Sequence, residues 1–389
     1  MKHLIVLGTQ RSGKTLVSRA LNMHPNIICH MEPFFFFFKM CQNIFYRDIL
    51  KNQGFDPDFP MDSGFCSTKE ERGLFNESFS KLVFLDSDIE KLREQTIKQN
   101  SGKERAPKII PLLDKIEAGN AIFVFEGLMS ILNEAYNKKD VRYVGLSEGW
   151  CDKYIDILLN YTDVDIQCIH CLRDPRAIVA SRNGGSRLHV KKYPLLFILR
   201  HWRTTIAYYI LLNNNPKYMA VQYENLVHEP ELWFKKMCHF LAVPFSESLL
   251  DTSGFLNGDG SPWIQNSAFQ VSSKKSINVG SLFKWKEVLS REEIGVIEYL
   301  CKEEMDLLEL ERINLEFSLQ DLISYKENDD EIIEWLRKYN LTFNENELML
   351  EIVRKYLIES NQNIDVKDLI DYLVIDKKVF GKLAKSMGR

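Results

Sequence analysis

Lys2-His3-Leu4-Ile5-Val6-Leu7, then Gly8-Thr9-Gln10-Arg11-Ser12-Gly13-Lys14-Thr15, then Leu16-Val17-Ser18-Arg19-Ala20-Leu21 open the chain. The first six residues are a near-continuous aliphatic run, which suits a strand buried on both faces. Residues 14–23 carry apolar side chains at helical spacing. A glycine-bounded loop between a strand and a helix turns backbone N–H groups toward an anion, the helix N-terminus adds partial positive charge, and Arg11 and Lys14 add full charges. Gly8 to Thr15 also satisfies the Walker A pattern of nucleoside-triphosphate enzymes. The loop therefore predicts phosphate binding and leaves open which molecule carries the phosphate.

Similar aliphatic or β-branched runs recur at 26–29, 121–125, 141–146, 165–172 and 218–222, and helical patterns at 151–161, 175–183 and 194–213 separate several of them. The alternation predicts an α/β fold: a P-loop-type parallel β-sheet flanked by helices. Residues 33–120 are too long for a simple connection and predict a helical insertion or lid. Its five phenylalanines, Phe34 to Phe38, are expected mainly to fill a core. The last proline is Pro262, and no glycine lies between Gly295 and Gly381. The expected organisation is thus a main domain over 1–310 and a C-terminal helical extension over 311–389.

The chain has 389 residues, 45% of them hydrophobic and 27% charged, which excludes a disordered or collagen-like chain. Fifty basic against 54 acidic residues give a net charge of −4, so no global positive field favours nucleic acid. Eight scattered cysteines fit a reducing compartment better than a disulfide scaffold. The opening apolar run is too short for a secretion signal. The densest apolar stretch, 195–212, is interrupted by Arg200, His201 and Arg203, so no membrane span is expected. Together these features predict a cytoplasmic protein.

A second anion site is read in Leu172-Arg173-Asp174-Pro175-Arg176-Ala177 and the Ser181 that follows. Asp174 is a good N-cap and Pro175 fits the first helical position, which places Arg173 at a strand end. Ser181, two helical turns beyond Asp174, returns to the same face, so one anion could meet both Arg173 and Ser181. Taken alone, an arginine paired with an acid and a serine facing water would be the plainer reading.

The two motifs in this order resemble those of the sulfotransferases that use 3′-phosphoadenosine 5′-phosphosulfate (PAPS). Further matches follow at Tyr223-Glu224-Asn225-Leu226-Val227, Phe240-Leu241-Ala242-Val243-Pro244 and Asn278-Val279-Gly280-Ser281-Leu282-Phe283-Lys284-Trp285. The similarity spans roughly 1–310 and is greatest to the tyrosylprotein and bacterial branch. It implies that Arg11, Ser12, Gly13, Lys14 and Thr15 hold the 5′-phosphosulfate, and that Arg173 and Ser181 hold the 3′-phosphate. It also implies cofactor contacts from Tyr223, Lys275 and Ser267. A glutamate base after the second strand falls on Glu32 in Cys29-His30-Met31-Glu32-Pro33. Two departures stand out: Lys14 replaces the usual threonine after the loop glycine, and Gly145-Leu146-Ser147-Glu148 lacks the lysine common near the fourth strand's end.

The implied reaction needs positioning and positive charge, with Arg11 and Lys14 stabilising the transferring group and Glu32 taking the acceptor's proton. Burial near Phe34–Phe38 is expected to raise the Glu32 pKa. His30 is the rival base. The acceptor is expected to be a small metabolite, lipid or glycan bearing a hydroxyl, and the tail could form a homodimer. The alternative is a magnesium-dependent kinase using ATP through Lys14-Thr15, with Asp86 after residues 82–85 or Glu126 after 122–125 as metal carboxylate. A zinc reading of Cys168-Ile169-His170-Cys171 fails because residues three apart on a strand face opposite sides, so no metal ligand set is expected.

Overall fold

A computed structural model of the chain describes residues 2–61, 68–181, 191–263, 282–313, 315–341, 344–360 and 376–386. Strand β1 (Lys2–Leu7) lies at the centre of a five-stranded sheet. The loop after it feeds helix α1 (Lys14–Met23), and the chain returns through β2 (Ile27–Met31) to the sheet's edge. The insertion follows: α2 (Phe35–Ile44), extended by a π-turn over Phe45–Ile49, then α3 (Lys69–Ser78) and α4 (Asp86–Asn100). Two short strands, β3 (Val83–Phe84) and β4 (Gly119–Asn120), pair antiparallel apart from the main sheet, and α5 (Ala121–Ala135) leads back to β5 (Tyr143–Ser147).

The second half adds α6 (Asp152–Asn160), β6 (Ile166–Leu172), α7 (Pro175–Ala180), α8 (Leu195–Leu212) and β7 (Tyr218–Gln222). The main sheet has the order β2-β5-β1-β6-β7 and every pairing in it is parallel. Leu4, Ile5, Val6 and Leu7 are fully buried, as expected of a central strand covered on both faces. Because all five strands run the same way, their C-terminal ends share one edge. The next residues there are Gly8, Glu32, Glu148, Arg173 and Tyr223. The strand order reverses direction about β1, and such a switch point is where an open parallel sheet leaves a crevice for a ligand.

The expected strand at 121–125 is instead the first turn and a half of α5. Asn120 caps that helix, its side chain accepting the Phe123 N–H at 2.9 Å. Ala121, Val124, Phe125, Leu128, Met129 and Leu132 turn one stripe into the core at helical spacing. Five consecutive apolar residues do not reveal their period, and the cap decides it. The phenylalanine run is divided: Phe34, Phe37 and Phe38 are buried, whereas Phe35 and Phe36 are half-buried.

Helices α9 (Tyr223–His228), α10 (Pro230–Phe240), α11 (Trp285–Val288), α12 (Arg291–Leu300) and α13 (Lys302–Leu307) complete the flanking layer. The C-terminal quarter contributes α14 (Leu319–Ser324), α15 (Glu334–Arg337), α16 (Glu345–Ser360) and α17 (Lys377–Ser386). Leu336, Ile358, Val379 and Leu383 share one apolar cluster with Ile178, Trp202 and Ile206 of α7 and α8. A buried ionic clamp reinforces that contact: Glu351 on α16 accepts Arg203 Nη2 at 2.6 Å and Arg200 Nε at 2.8 Å. Among the described residues no helix is long and apolar enough to cross a membrane.

Candidate functional site

The loop after β1 takes the shape its glycines permit. Gly8 has φ +139°, and a Cβ there would meet the Cys171 carbonyl and lie 2.6 Å from Ser12 Oγ. Gly13, the N-cap of α1, has φ +97°, and a Cβ would strike the Tyr223 ring. Arg11 also adopts a left-handed φ of +67°. The loop is tied to the body through Thr9, whose hydroxyl donates to Thr205 on α8 at 3.3 Å, and Thr205 in turn donates to Asp152 at 3.0 Å. Asp152 bonds His201 Nε2 at 3.1 Å and has His170 Nε2 at the same distance, and its two histidine neighbours hold it well below the ordinary carboxylate range despite complete burial, which pushes the other way.

The two predicted anion motifs meet in one cleft. Arg173 Nη1 donates to the Arg11 carbonyl at 2.7 Å, and its guanidinium lies 4.3 Å from the centroid of Tyr223. Asp174 caps α7 through the Arg176 N–H at 2.8 Å, and Ser181 closes that helix. Arg176, by contrast, is fully committed: it pairs with Asp174 at 2.7 Å and Glu298 at 2.6 Å and lies over Trp285. Ser12 Oγ, Lys14 Nζ, Arg173 Nε and Ser181 Oγ are all buried polar atoms with no hydrogen-bond partner among the described residues. Folded proteins rarely leave such groups unsatisfied, and Ser12, Lys14 and Arg173 lie at or just beyond the C-terminal edge of the sheet, so the set is a candidate site for an anion with several oxygens. Burial lowers the Arg11 pKa, as does nearby Arg173, while Tyr193 and Glu32 oppose that shift. Thr15 sits half-buried in the first turn of α1. Ser267 and Lys275 lie outside the described residues.

Glu32 follows β2 in a left-handed backbone conformation, φ +45°, with its N–H bonded to the Ser147 carbonyl at 2.7 Å. Its carboxylate pairs with Arg105 and stands near Lys14: a Cβ on Gly149 would lie 2.9 Å from Lys14 Nζ and 3.8 Å from Glu32 Oε1. Burial pushes the Glu32 pKa up as expected, but Arg105, Lys14 and Arg11 outweigh it, and the net shift is downward. His30 has different surroundings. Its ring lies 3.6 Å from Tyr136, and burial together with Lys138, Arg19 and Lys108 lowers its pKa to about 3.

Two contributors escaped sequence reading, and a third, Glu148, was legible only as an acid at a strand end. Arg105 and Gln99 come from the insertion, Gln99 donating to the Glu32 carbonyl. Glu148, at the end of β5 where the fourth-strand lysine is missing, is fully buried and accepts the Phe34 N–H at 2.8 Å. Burial and the Glu32 charge push its pKa well up. The only signal for it in the sequence was its place directly after a strand.

The magnesium candidates are not at this edge. Glu126 bonds His3 at 2.8 Å, near the opposite end of β1 from the loop. Asp86 is exposed at the start of α4, thirteen residues before Gln99 and therefore about 20 Å along the helix. No group of three or more metal-ligating side chains occurs among the described residues.

A parallel sheet flanked by helices, with a glycine loop after its central strand, defines an α/β protein of the P-loop type. Residues 155–309 match the family model described as a sulfotransferase domain. That segment is a sulfotransferase domain by this match, the domain of enzymes that move a sulfuryl group onto a hydroxyl. It is 20% identical over 351 residues to carbohydrate sulfotransferase 5 of Mus musculus, covering 82% of this chain and 83% of that one. Identity to carbohydrate sulfotransferase 6 of Homo sapiens is 21% over 334 residues, covering 79% and 80%. Among solved structures, the sulfotransferase domain from the Synechococcus PCC 7002 olefin synthase aligns over 75% of this chain and 89% of that chain, with 18% identity and a TM-score of 0.42.

Proposed function

We propose that this enzyme transfers the sulfuryl group of PAPS to a hydroxyl of a small metabolite, lipid or glycan acceptor, with Glu32 as general base. The observation that carries the reading is the set of four buried atoms with no partner among the described residues, Ser12 Oγ, Lys14 Nζ, Arg173 Nε and Ser181 Oγ, of which Lys14 Nζ stands beside the Glu32 carboxylate. The loop N–H groups, Ser12, Lys14 and Thr15 hold the 5′-phosphosulfate. Arg173 and Ser181 hold the 3′-phosphate, and Tyr223 supports Arg173 from beneath. The donor supplies an activated sulfuryl group with a phosphate leaving group: the acceptor oxygen bonds to sulfur, the bridging S–O bond to phosphate breaks, and the hydroxyl proton passes to Glu32.

Lys14 takes the place of the missing fourth-strand lysine, since it projects between the loop and Gly149 toward Glu32. A fixed cation at the transferring group contributes about 3–4 kcal/mol where charge develops in a water-poor site. Arg105 orients the base and keeps it ionised. The names of the curated relatives favour an acceptor with carbohydrate character.

Calorimetry with adenosine 3′,5′-bisphosphate, with and without EDTA, is the direct test. Tight binding that EDTA does not alter supports the reading, whereas binding of ATP alone, dependent on magnesium, replaces it with the kinase. Glu32→Gln is expected to lower turnover by about 10²–10⁴-fold while leaving bisphosphate affinity within about twofold.

A further inference from the structure

The insertion encloses a cavity of about 600 Å³ that none of the site residues lines. Its wall on one side is the outer face of α2, where Phe35, Phe36 and Met40 project, and on the other the Asp88, Lys91 and Gln95 stripe of α4. The strap over residues 52–61 forms the roof, and Trp335 of α15 stands half-exposed at the lip. That volume is typical of a site for one small organic ligand.

The cavity's polar side chains are mostly spent on its own construction. Lys39 bonds Gln42 and the Phe59 carbonyl, and Arg47 pairs with Asp88 at 2.7 Å. The C-terminal extension fastens the strap from outside: Lys338 Nζ and Tyr339 OH reach Asp56 at 2.8 and 2.9 Å, and the Tyr339 ring packs edge-on to Phe59. What faces inward is largely aromatic and aliphatic. Asn43 Oδ1 is buried with no partner among the described residues and is able to accept one donor.

One wall of the cavity belongs to the helix that reaches the Glu32 turn. Gln95 lies one helical turn before Gln99, about 6 Å along the same face, and Gln99 touches the Glu32 carbonyl. Phe35, at the near end of the cavity, is three residues beyond Glu32 and so within about 11 Å of it along the chain, and the far end lies roughly 15–18 Å down α2 at Arg47.

We infer that this cavity receives the apolar chain of an amphipathic acceptor, a hydroxylated head with an alkyl or acyl tail, and that the C-terminal extension completes it through Trp335. The inference rests on the sulfotransferase reading and narrows its acceptor class. A bare sugar would leave these walls uncovered; a tail of several methylenes covers them while its head reaches Glu32.

The test uses the full chain and n-alkyl β-D-glucosides from hexyl to decyl, below their micelle concentrations. Binding is followed by calorimetry without donor, and separately as KM with PAPS present. Each added methylene is expected to lower both constants roughly two- to fourfold, with kcat little changed. Met40→Asp and Trp335→Ala should each weaken decyl glucoside at least fivefold and leave adenosine 3′,5′-bisphosphate binding intact, the latter also confirming that the variants are folded. Affinity that does not change with chain length, or decyl binding untouched by both variants, overturns the inference. If the chain-length dependence holds but the bisphosphate does not bind, the cavity assignment stands and the sulfotransferase donor assignment falls.

Discussion

The anchorage of the C-terminal extension yields a prediction whose size can be worked out. Glu351 is 2% exposed and meets the guanidinium groups of Arg203 and Arg200. Burial alone would raise its pKa, but the two arginines bring it down to about 2 from an ordinary 4.5. A depression of that size corresponds to about 3 kcal/mol of folding stability, since one pKa unit is about 1.4 kcal/mol. The folded-state value is the lower one, so the contribution is complete above pH 4.5 and is lost as the pH falls from 4.5 toward 2. Glu351→Gln removes the charge at every pH and leaves two arginines facing a neutral amide, a loss on the same scale of about 3–5 kcal/mol. If the chain melts as one unit, an unfolding entropy of about 2.1 cal/mol/K per residue turns 3 kcal/mol into a drop in Tm of about 4 °C. If α16 detaches locally, the loss appears as faster amide exchange in residues 345–360 and earlier proteolysis at pH 7, with the sheet unaffected. Scanning calorimetry and hydrogen exchange on the full chain read both. A variant matching the wild type in Tm and in α16 exchange at pH 7 would refute the argument, as would a stability difference that stays constant between pH 7 and 3.5.

Arg105→Met removes the leading charge that opposes burial of Glu32. The Glu32 pKa must then rise, and the acid limb of kcat/KM, which follows deprotonation of the base, must move to higher pH; an unmoved limb would separate Glu32 from the proton transfer. Gly13→Ala puts a methyl group against Tyr223 at a φ that side chains rarely adopt. Strain of about 1–2 kcal/mol should weaken adenosine 3′,5′-bisphosphate by about tenfold in calorimetry, and unchanged affinity would count against the loop as its site. Asp152→Asn strips the charge that faces His170, His201 and Thr205. It should cost about 3 kcal/mol by denaturant titration and, by loosening Thr9, reduce bisphosphate affinity severalfold; stability lost with affinity unchanged would show that the network does not set the loop.

What the sequence disclosed depended on how locally each feature is determined. The first strand, its loop and α1 are contiguous, and glycine spacing alone carries their conformation. Arg173 was legible for the same reason, because Asp174 and Pro175 mark the helix boundary beside it. The run at 121–125 was not, since an apolar stretch of five suits a strand or a buried helix equally and only the Asn120 side chain separates them. Nor could Glu32 be assessed from its neighbours in the chain. Phe34 to Phe38 argued for a raised pKa, whereas Arg105, 73 residues away, reverses the sign. Glu148 and Gln99 reach the same locality only because β5 lies between β2 and β1 and the insertion folds back over the edge, and Tyr193 reaches it from the segment before α8. Pairing order of that kind is a property of the whole sheet.

The left-handed turn at Glu32 bears on how this enzyme could be improved. A glutamate in that conformation is held against its own preference by the Ser147 carbonyl on one side and Gln99 on the other. Glycine or asparagine would relax the backbone there, so a screen that rewards only heat tolerance will tend to replace the residue proposed as the base. Thermostable descendants should therefore be selected with turnover monitored at every round, and position 32 excluded from the library.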